Sequence, residues 1–379
     1  MSDNRVVVLG VGLVRFGRYP DKSAEDLGRE AGLAALEDSG IDFKEVEAGF
    51  HGRVQSVVNA GTSTFGQLGQ HGIPVTNVEL ACASSSRGAL LAADLIWGGI
   101  YDVCMVIGVE KMGRGMLGGG GGGGAGAASL GYQVQMGMFL LPGLYAMMAQ
   151  RHMHLYGTKK EHFAQVSVKA HRNGVLNPYA QYQKELTLEE ILSSRMIADP
   201  ITLYQCCPTT DGASAVVLCS EKYARQHTTK PVNLAAWAGG TPMFVSGEAE
   251  LSEGPNTVLA RKVYETSGLR PEDVDVVQLH DAFSPGEVLG VEELGFCKRG
   301  EGGPFVWEGN TEISGKKPVN TDGGLLSRGH PMGATGGAMI TEMTRQLRGQ
   351  AGPRQVKDPK VGLLHNAGLG GVNVMAFQV

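Results

Sequence analysis

The sequence predicts an α/β fold built twice over. Short β-branched runs alternate with longer segments of helical periodicity along the whole chain, which is the α/β signature. At 379 residues the chain is long for one core and suits two domains of ordinary size. Its two halves also carry the same succession of elements.

In the first half, strands are predicted at RVVVLGVG (5–12), around AGFHGR (48–53), at VTNVEL (75–80) and at YDVCMVIGVE (101–110). Helices are predicted at 24–40 and 85–99. Ser23 precedes the first helix and Asp26 follows three residues on, a short-armed capping box. Residues 112–215 break this pattern with loops and helices, opened by GMLGGGGGGGAGAASLG, before DGASAVVLCS (211–220) returns to a strand.

A second series starts near Val232 with PVNLAAWAGG, a helix at 256–268, a strand at 274–281 and a helix at 284–295. PVNTDGG, a helix at 333–349 and two terminal strands, KVGLLHN and GVNVMAFQV, complete it. ACASSSRGALLAADLIWGG in the first half has GHPMGATGGAMITEMTRQL as its counterpart in the second. The expected halves are therefore 1–231 and 232–379, with a loop domain at about 112–215 inserted in the first.

With 42% hydrophobic and 19% charged residues, a net charge of -5 and scattered basic residues, the chain reads as globular and offers no nucleic-acid footprint. The N-terminal apolar run is too short and Gly-broken for a signal peptide, and no segment has the roughly 18 apolar residues of a membrane span. Six cysteines without CxxC spacing fit free thiols in a reducing, cytoplasmic setting. Glycine is 57 of 379, about twice its average usage of ~7%, which predicts close approach of backbone to backbone or to a ligand.

Several motifs fail on spacing. GVGLVRFG (10–17) lacks the third glycine of a dinucleotide fingerprint at its required place and reads as a tight strand-to-loop turn. No P-loop and no G-x-S-x-G elbow occurs. His152 and His154, two apart, and the adjacent Cys206 and Cys207 do not match a zinc site and read as structural. The run Gly118 to Gly124 is either a surface loop or the lining of a substrate entrance.

Cys82 stands out by position. It follows the strand VTNVEL and immediately precedes an amphipathic helix, whose N-terminal N–H groups and partial positive charge favour a thiolate. Ala83, Ser84, Ser85 and Ser86 are small, leaving room for a substrate, and the backbone N–H at the bend can serve an oxyanion. Such a nucleophile needs a base nearby. His330 in SRGHPMGATGG, His280 at the end of VDVVQLHD and His365 in HNAGLGG each sit where a second-half strand or helix meets a loop.

These residues resemble the thiolase superfamily along essentially the whole chain: ACASSS, VIGVEKM (106–112), PTTDGASAVVL (208–218), LHDAF (279–283), NTDGGLLSRGHPMGATGG (320–337) and HNAGLGG (365–371). Within it, the chain is most similar to the sterol-carrier-protein-X type thiolases and bacterial thiolase-like lipid-transfer proteins. The resemblance implies a duplicated five-layered αβαβα core with an inserted loop domain, assembled as homodimers. It assigns the acyl-accepting nucleophile to Cys82, the activating histidine to His330 and a thioester-oxygen contact to His280. Gly368, with the N–H of Cys82, matches the second oxyanion hole. Coenzyme A enters as substrate, and no cofactor or metal is expected in this chain.

One departure stands out. Thiolases carry a second cysteine as acid/base, in a Cys-x-Gly loop or as the third residue of His-Asp-Cys-Phe. Here those positions hold Asn366 and Ala282, so His280, His365 and Asn366 are the candidates for acid/base or supporting work. The expected activity is thiolysis of a 3-oxoacyl-CoA, or the reverse Claisen condensation, through acyl-Cys82. Two alternatives stay open: a thiolase-like retro-aldol lyase on a CoA thioester, and a non-catalytic subunit. The resemblance also implies a small zinc-ribbon/OB-fold partner subunit.

Overall fold

The structure, a computed structural model, describes residues 5–55, 57–113, 141–228, 230–241 and 254–379. The glycine run at 118–124 lies outside the described residues. The first half contains β1 (Val6–Leu13), α1 (Ala24–Ser39), β2 (Ala48–Gly52), α2 (Ala60–Gly66), β3 (Val75–Val78), α3 (Ser84–Trp97) and β4 (Val103–Lys111). Then come α4 (Leu141–Tyr156), α5 (Lys160–Val175), α6 (Leu188–Ser193) and a small ribbon of β5 (Met196–Ala198) and β6 (Ile201–Thr202). β7 (Asp211–Ser220) and α7 (Glu221–Ala224) close this part. The second half adds β8 (Val232–Gly240), α8 (Pro255–Ser267), β9 (Val276–Leu279), α9 (Pro285–Glu293) and α10 (Gly302–Trp307). It ends with α11 (Gly324–Ser327), α12 (Thr335–Arg348), β10 (Val361–Gly368) and β11 (Gly371–Gln378).

The strands form one nine-stranded sheet in the order β3-β2-β4-β7-β1-β8-β11-β10-β9. Its two arms repeat the same pairing. β2 lies parallel to β3 and β4, and β7 lies antiparallel to β4 and β1. Correspondingly, β9 lies parallel to β10, and β11 antiparallel to β10 and β8. The counterpart of β3 is reduced to one parallel bridge, Val277 to Val319. β1 and β8 pair at Val6–Val8, so hydrogen bonds join the two arms.

Five layers follow from which faces are apolar. α1 covers the outer face of the first arm with Leu27, Ala31 and Ala35. α8 and α9 cover the second arm with Leu259, Val263 and Val291. Between the arms, α3 and α12 share one core that includes Ala89, Ile96, Met339 and Met343. α12 is buried almost all round, as a central helix must be. Ser23 caps α1 as the sequence predicts, with its hydroxyl accepting from Asp26 N–H at 3.0 Å and Asp26 accepting from Ser23 N–H at 2.9 Å.

GVGLVRFG does not make the predicted turn. Gly10 and Gly12 lie inside β1, beside a register shift against β7. A Cβ at Gly10 would stand 2.4 Å from Ala35 O, and one at Gly12 2.1 Å from Ala31 O. The glycines let α1 sit directly on the strand backbone, which is the close approach the composition predicts. α5 packs on α9, α10 and α11 through Phe163, Val166, Val288, Val306 and Leu326. His152 is tied to Thr158 Oγ1 at 2.7 Å and Glu292 at 3.0 Å, a structural role. All six cysteines are free, and among the described residues no helix is long and apolar enough to cross a membrane.

Candidate active site

The site forms where the two central helices begin. Cys82 lies in a 3-10 turn, Ala81–Ala83, that runs into α3, and a matching turn, Met332–Ala334, runs into α12. His330 stands just before that second turn. The two helix starts touch because glycine permits it, a Cβ at Gly336 standing 2.5 Å from Ser86 N; Gly333 likewise lets the second turn sit on β4, where a Cβ would stand 2.5 Å from Val109 O.

Ala81 has φ +46, a left-handed conformation that costs a non-glycine residue of order 1–3 kcal/mol. Glu79 accepts its N–H at 2.8 Å, and Ser84 donates to its carbonyl at 2.6 Å. The serines after Cys82 are therefore not open space, as the sequence suggested. Ser84, Ser85 and Ser86 are buried, and Ser85 accepts the N–H of Gly337 at 3.0 Å. They bolt the nucleophile turn to the second half.

Cys82 Sγ stands 3.1 Å from His330 Nε2. His330 Nδ1 is 2.7 Å from Thr335 Oγ1, whose hydroxyl reaches Pro331 O at 3.0 Å. A carbonyl only accepts, so Thr335 donates to Pro331 and accepts Nδ1–H. This tautomer leaves the Nε2 lone pair facing the thiol, as a base requires. The backbone of His330 is held by Thr210 Oγ1 at 3.1 Å.

Burial pushes the Cys82 thiol up to about 12, with the Glu110 carboxylate adding to the effect. Burial, then the Arg328 charge, lowers His330 to about 3. The resting pair is a neutral thiol and a neutral imidazole. Desolvation works against the thiolate that the helix N-terminus favours. Proton transfer must accompany attack.

His280 follows β9, its ring centroid 5.3 Å from that of His330 and nearly perpendicular to it. Asn366 Nδ2 lies 3.1 Å from His280 Nδ1. Ser86 donates to Asn366 Oδ1 at 2.6 Å, and Asn373 donates to Ser86 Oγ at 2.8 Å. Asn366 thus donates to Nδ1, leaving the proton on Nε2. Burial pushes the pKa of this ring well below the ordinary range, and the nearby His330 and His365 would oppose a further positive charge.

Gly368 lies against the nucleophile turn. A Cβ there would stand 2.4 Å from Leu80 O and 3.1 Å from Cys82 N. His365 is not part of this cluster. It alternates with Asn366 along β10 and shares the outer face with Leu363, whereas Leu364 faces the central core. Among the described residues neither of its ring nitrogens has a partner, and burial lowers it to about 4.

The motifs around the site are its scaffolding. Glu110 accepts the N–H groups of Val54, Gln55 and Gly333 at 2.9, 3.2 and 3.1 Å, clamping loops of both halves. Asp281 accepts Leu325 N–H at 2.7 Å, and burial raises it to about 7. Tyr145 is a neighbour the sequence reading missed. It comes from the inserted segment and packs on Phe283, ring centroids 4.8 Å apart, and burial raises its phenol. A tyrosine inside a helical run carries no local signal of such a role.

The fold is that of the thiolase family. A family model described as "Thiolase, N-terminal domain" matches residues 6–222, and "Thiolase C-terminal domain-like" matches 245–377. The chain belongs to the thiolase family. It is similar to Sterol carrier protein 2 of Bos taurus, 40% identical over 395 residues, covering 99% of this chain and 72% of that protein. It is equally similar to Acetyl-CoA acetyltransferase of Methanothermobacter thermautotrophicus, 40% identical over 371 residues and 96% of each chain. The solved structure titled "Ltp2-ChsH2(DUF35) aldolase" superposes with a TM-score of 0.87 at 28% identity, covering 99% of this chain and 98% of that one.

Proposed function

We propose that the protein is an acyltransferase that cleaves a 3-oxoacyl-CoA with CoA, or runs the reverse condensation, through an acyl-Cys82 intermediate. The observation that carries this is the contact of Cys82 Sγ with the basic Nε2 of His330 at 3.1 Å. As sulfur attacks C3 of the substrate, the thiol proton passes to Nε2. The N–H groups of Cys82 and Gly368 hold the developing oxyanion. The C2–C3 bond then breaks, and the enolate's thioester oxygen is held by the Nε2–H of His280. Protonated His330 is a strong acid because burial depresses its pKa, so it delivers the same proton to C2. CoA next attacks acyl-Cys82, and its thiol proton returns to Cys82 by way of His330. One histidine shuttles both protons, which accounts for Asn366 and Ala282 at the two places where thiolases carry a second cysteine.

A retro-aldol reading is favoured by one finding, the similarity to the chain titled an aldolase. It needs the enolate contacts of His280 and His330 but no acyl-enzyme. Incubation with panels of 3-oxoacyl-CoA and 3-hydroxyacyl-CoA thioesters, followed by product analysis and intact-mass measurement, separates the two. Acylation at Cys82 supports the transferase, and cleavage of a 3-hydroxyacyl-CoA without any adduct supports the lyase.

The two-component title of that neighbour supports a partner subunit for this chain as well, testable by co-purification. Homodimerisation is supported by β3, which ends the sheet with an edge that no other described strand pairs. Light scattering after size-exclusion chromatography tests it.

A further inference from the structure

Cys82 Sγ and one nitrogen from each of His280 and His330 lie within 4.8 Å of one another, and all three residues are buried. Thr335 and Asn366 occupy the two Nδ1 atoms, so the Nε2 atoms are the ones free to converge with sulfur. One thiolate with two imidazoles, and a fourth position open, is a zinc ligand set. With Zn–S about 2.3 Å and Zn–N about 2.0–2.1 Å, tetrahedral ligand atoms stand roughly 3.3–3.6 Å apart. Cys82 and His330, at 3.1 Å, are already slightly closer than that.

We propose that this triad is also a Zn²⁺ site, and that the bound ion blocks acyl transfer. Binding converts the Cys82 S–H to an S–Zn bond and releases one proton to solvent. Both imidazoles bind as neutral donors, a water takes the fourth position and no electron moves.

Asn366 decides between the two states. While its Nδ2–H meets His280 Nδ1, Nε2 carries the proton and cannot ligate a metal. Turning the amide over places Oδ1 on a Nδ1–H and Nδ2 on Ser86 Oγ, which can accept it. Nε2 is then bare, and His280 gains the oriented outer partner that metal-bound histidines have. Enolate stabilisation and metal binding therefore require opposite tautomers of one ring and exclude each other. The inhibitory half of this inference rests on acyl transfer at Cys82; the metal site does not.

The test uses the whole metal-free protein with Co²⁺ as a spectroscopic probe and Zn²⁺ as competitor. One Co²⁺ per chain is expected, with a sulfur-to-cobalt charge-transfer band that Zn²⁺ displaces. Cys82→Ala and His280→Ala should lose it, and Cys297→Ser should keep it. Zinc affinity should rise about tenfold per pH unit, since one proton leaves. Asn366→Asp, which can only accept from Nδ1–H, should bind zinc at least tenfold more tightly and turn over more slowly. A cobalt complex without the sulfur band, or one retained by Cys82→Ala, overturns the site. So does alkylation of Cys82 by iodoacetamide at an undiminished rate under saturating Zn²⁺, a result that needs no variant. Absence of acyl-Cys82 in the metal-free protein would end the transferase reading and leave the cobalt result standing.

Discussion

Cys82 and His330 meet as a neutral pair, sulfur to Nε2 at 3.1 Å, although 248 residues separate them in sequence. Burial raises the one to about 12 and lowers the other to about 3, so neither changes charge between about pH 5 and 10. Alkylation of Cys82 by iodoacetamide should therefore climb with pH up to pH 10 without a plateau. A plateau near neutrality would mean a thiolate–imidazolium pair instead.

Removal of the base should be costly and separable from removal of its orienting partner. His330→Ala should lower kcat by ~10²–10⁴-fold, the usual worth of general acid–base catalysis. Thr335→Val keeps the volume but removes the acceptor for Nδ1–H, freeing the tautomer. It should lower kcat and leave KM near its starting value, as measured by steady-state thiolysis.

Gly368→Ala introduces a Cβ that would stand 2.4 Å from Leu80 O and 3.1 Å from Cys82 N. The turn must shift, so the rate of Cys82 acylation should fall at least tenfold while the circular dichroism spectrum is retained. Rapid-quench mass spectrometry of the adduct measures this. An unchanged acylation rate would remove Gly368 from the oxyanion site.

Ser86→Ala leaves Asn366 Oδ1 without the hydroxyl that donates to it at 2.6 Å, and reduces the Asn373 amide to its 3.2 Å bond with Ala83 O. A loss of about 1–3 kcal/mol in stability is expected for groups left buried without partners. Denaturant unfolding gives the number. Turnover should drop as well, because His280 loses its fixed tautomer.

Asp281 supplies a pH dependence of stability. Its folded pKa is raised to about 7, whereas an unfolded aspartate titrates near 3.9. Between those values the folded form holds the extra proton, so stability falls as pH rises from about 4 to 7 and is level above. Asp281→Asn should flatten that segment in thermal unfolding followed against pH. A segment of equal slope in the variant would assign it to other groups.

The elements of the fold were largely legible because both periodicities are strong. β1, α1, β4 and α12 lie within two or so residues of their sequence ranges. The repeated order of the halves was readable too. Gly10 and Gly12 were misread, since a glycine that admits a helix looks the same in sequence as one that makes a turn. Ser84, Ser85 and Ser86 were misread for a like reason: small side chains signal either space or contact, and only packing separates the two. His365 joined the candidates because it stands where a strand meets the glycine loop HNAGLGG, but strand alternation sends its side chain and that of Asn366 to opposite faces.

What the sequence by itself determined was the chemistry available: a cysteine before a helix, histidines at strand ends, and no second cysteine in a matching motif. These are local facts of residue type and spacing. Tertiary structure decided which groups meet and in which protonation state. Cys82, His280, His330 and Asn366 come from segments up to 284 positions apart, so their contacts exist only once the two halves share α3 and α12. The neutral thiol–imidazole pair depends on desolvation, which belongs to the packed interior and to no residue alone.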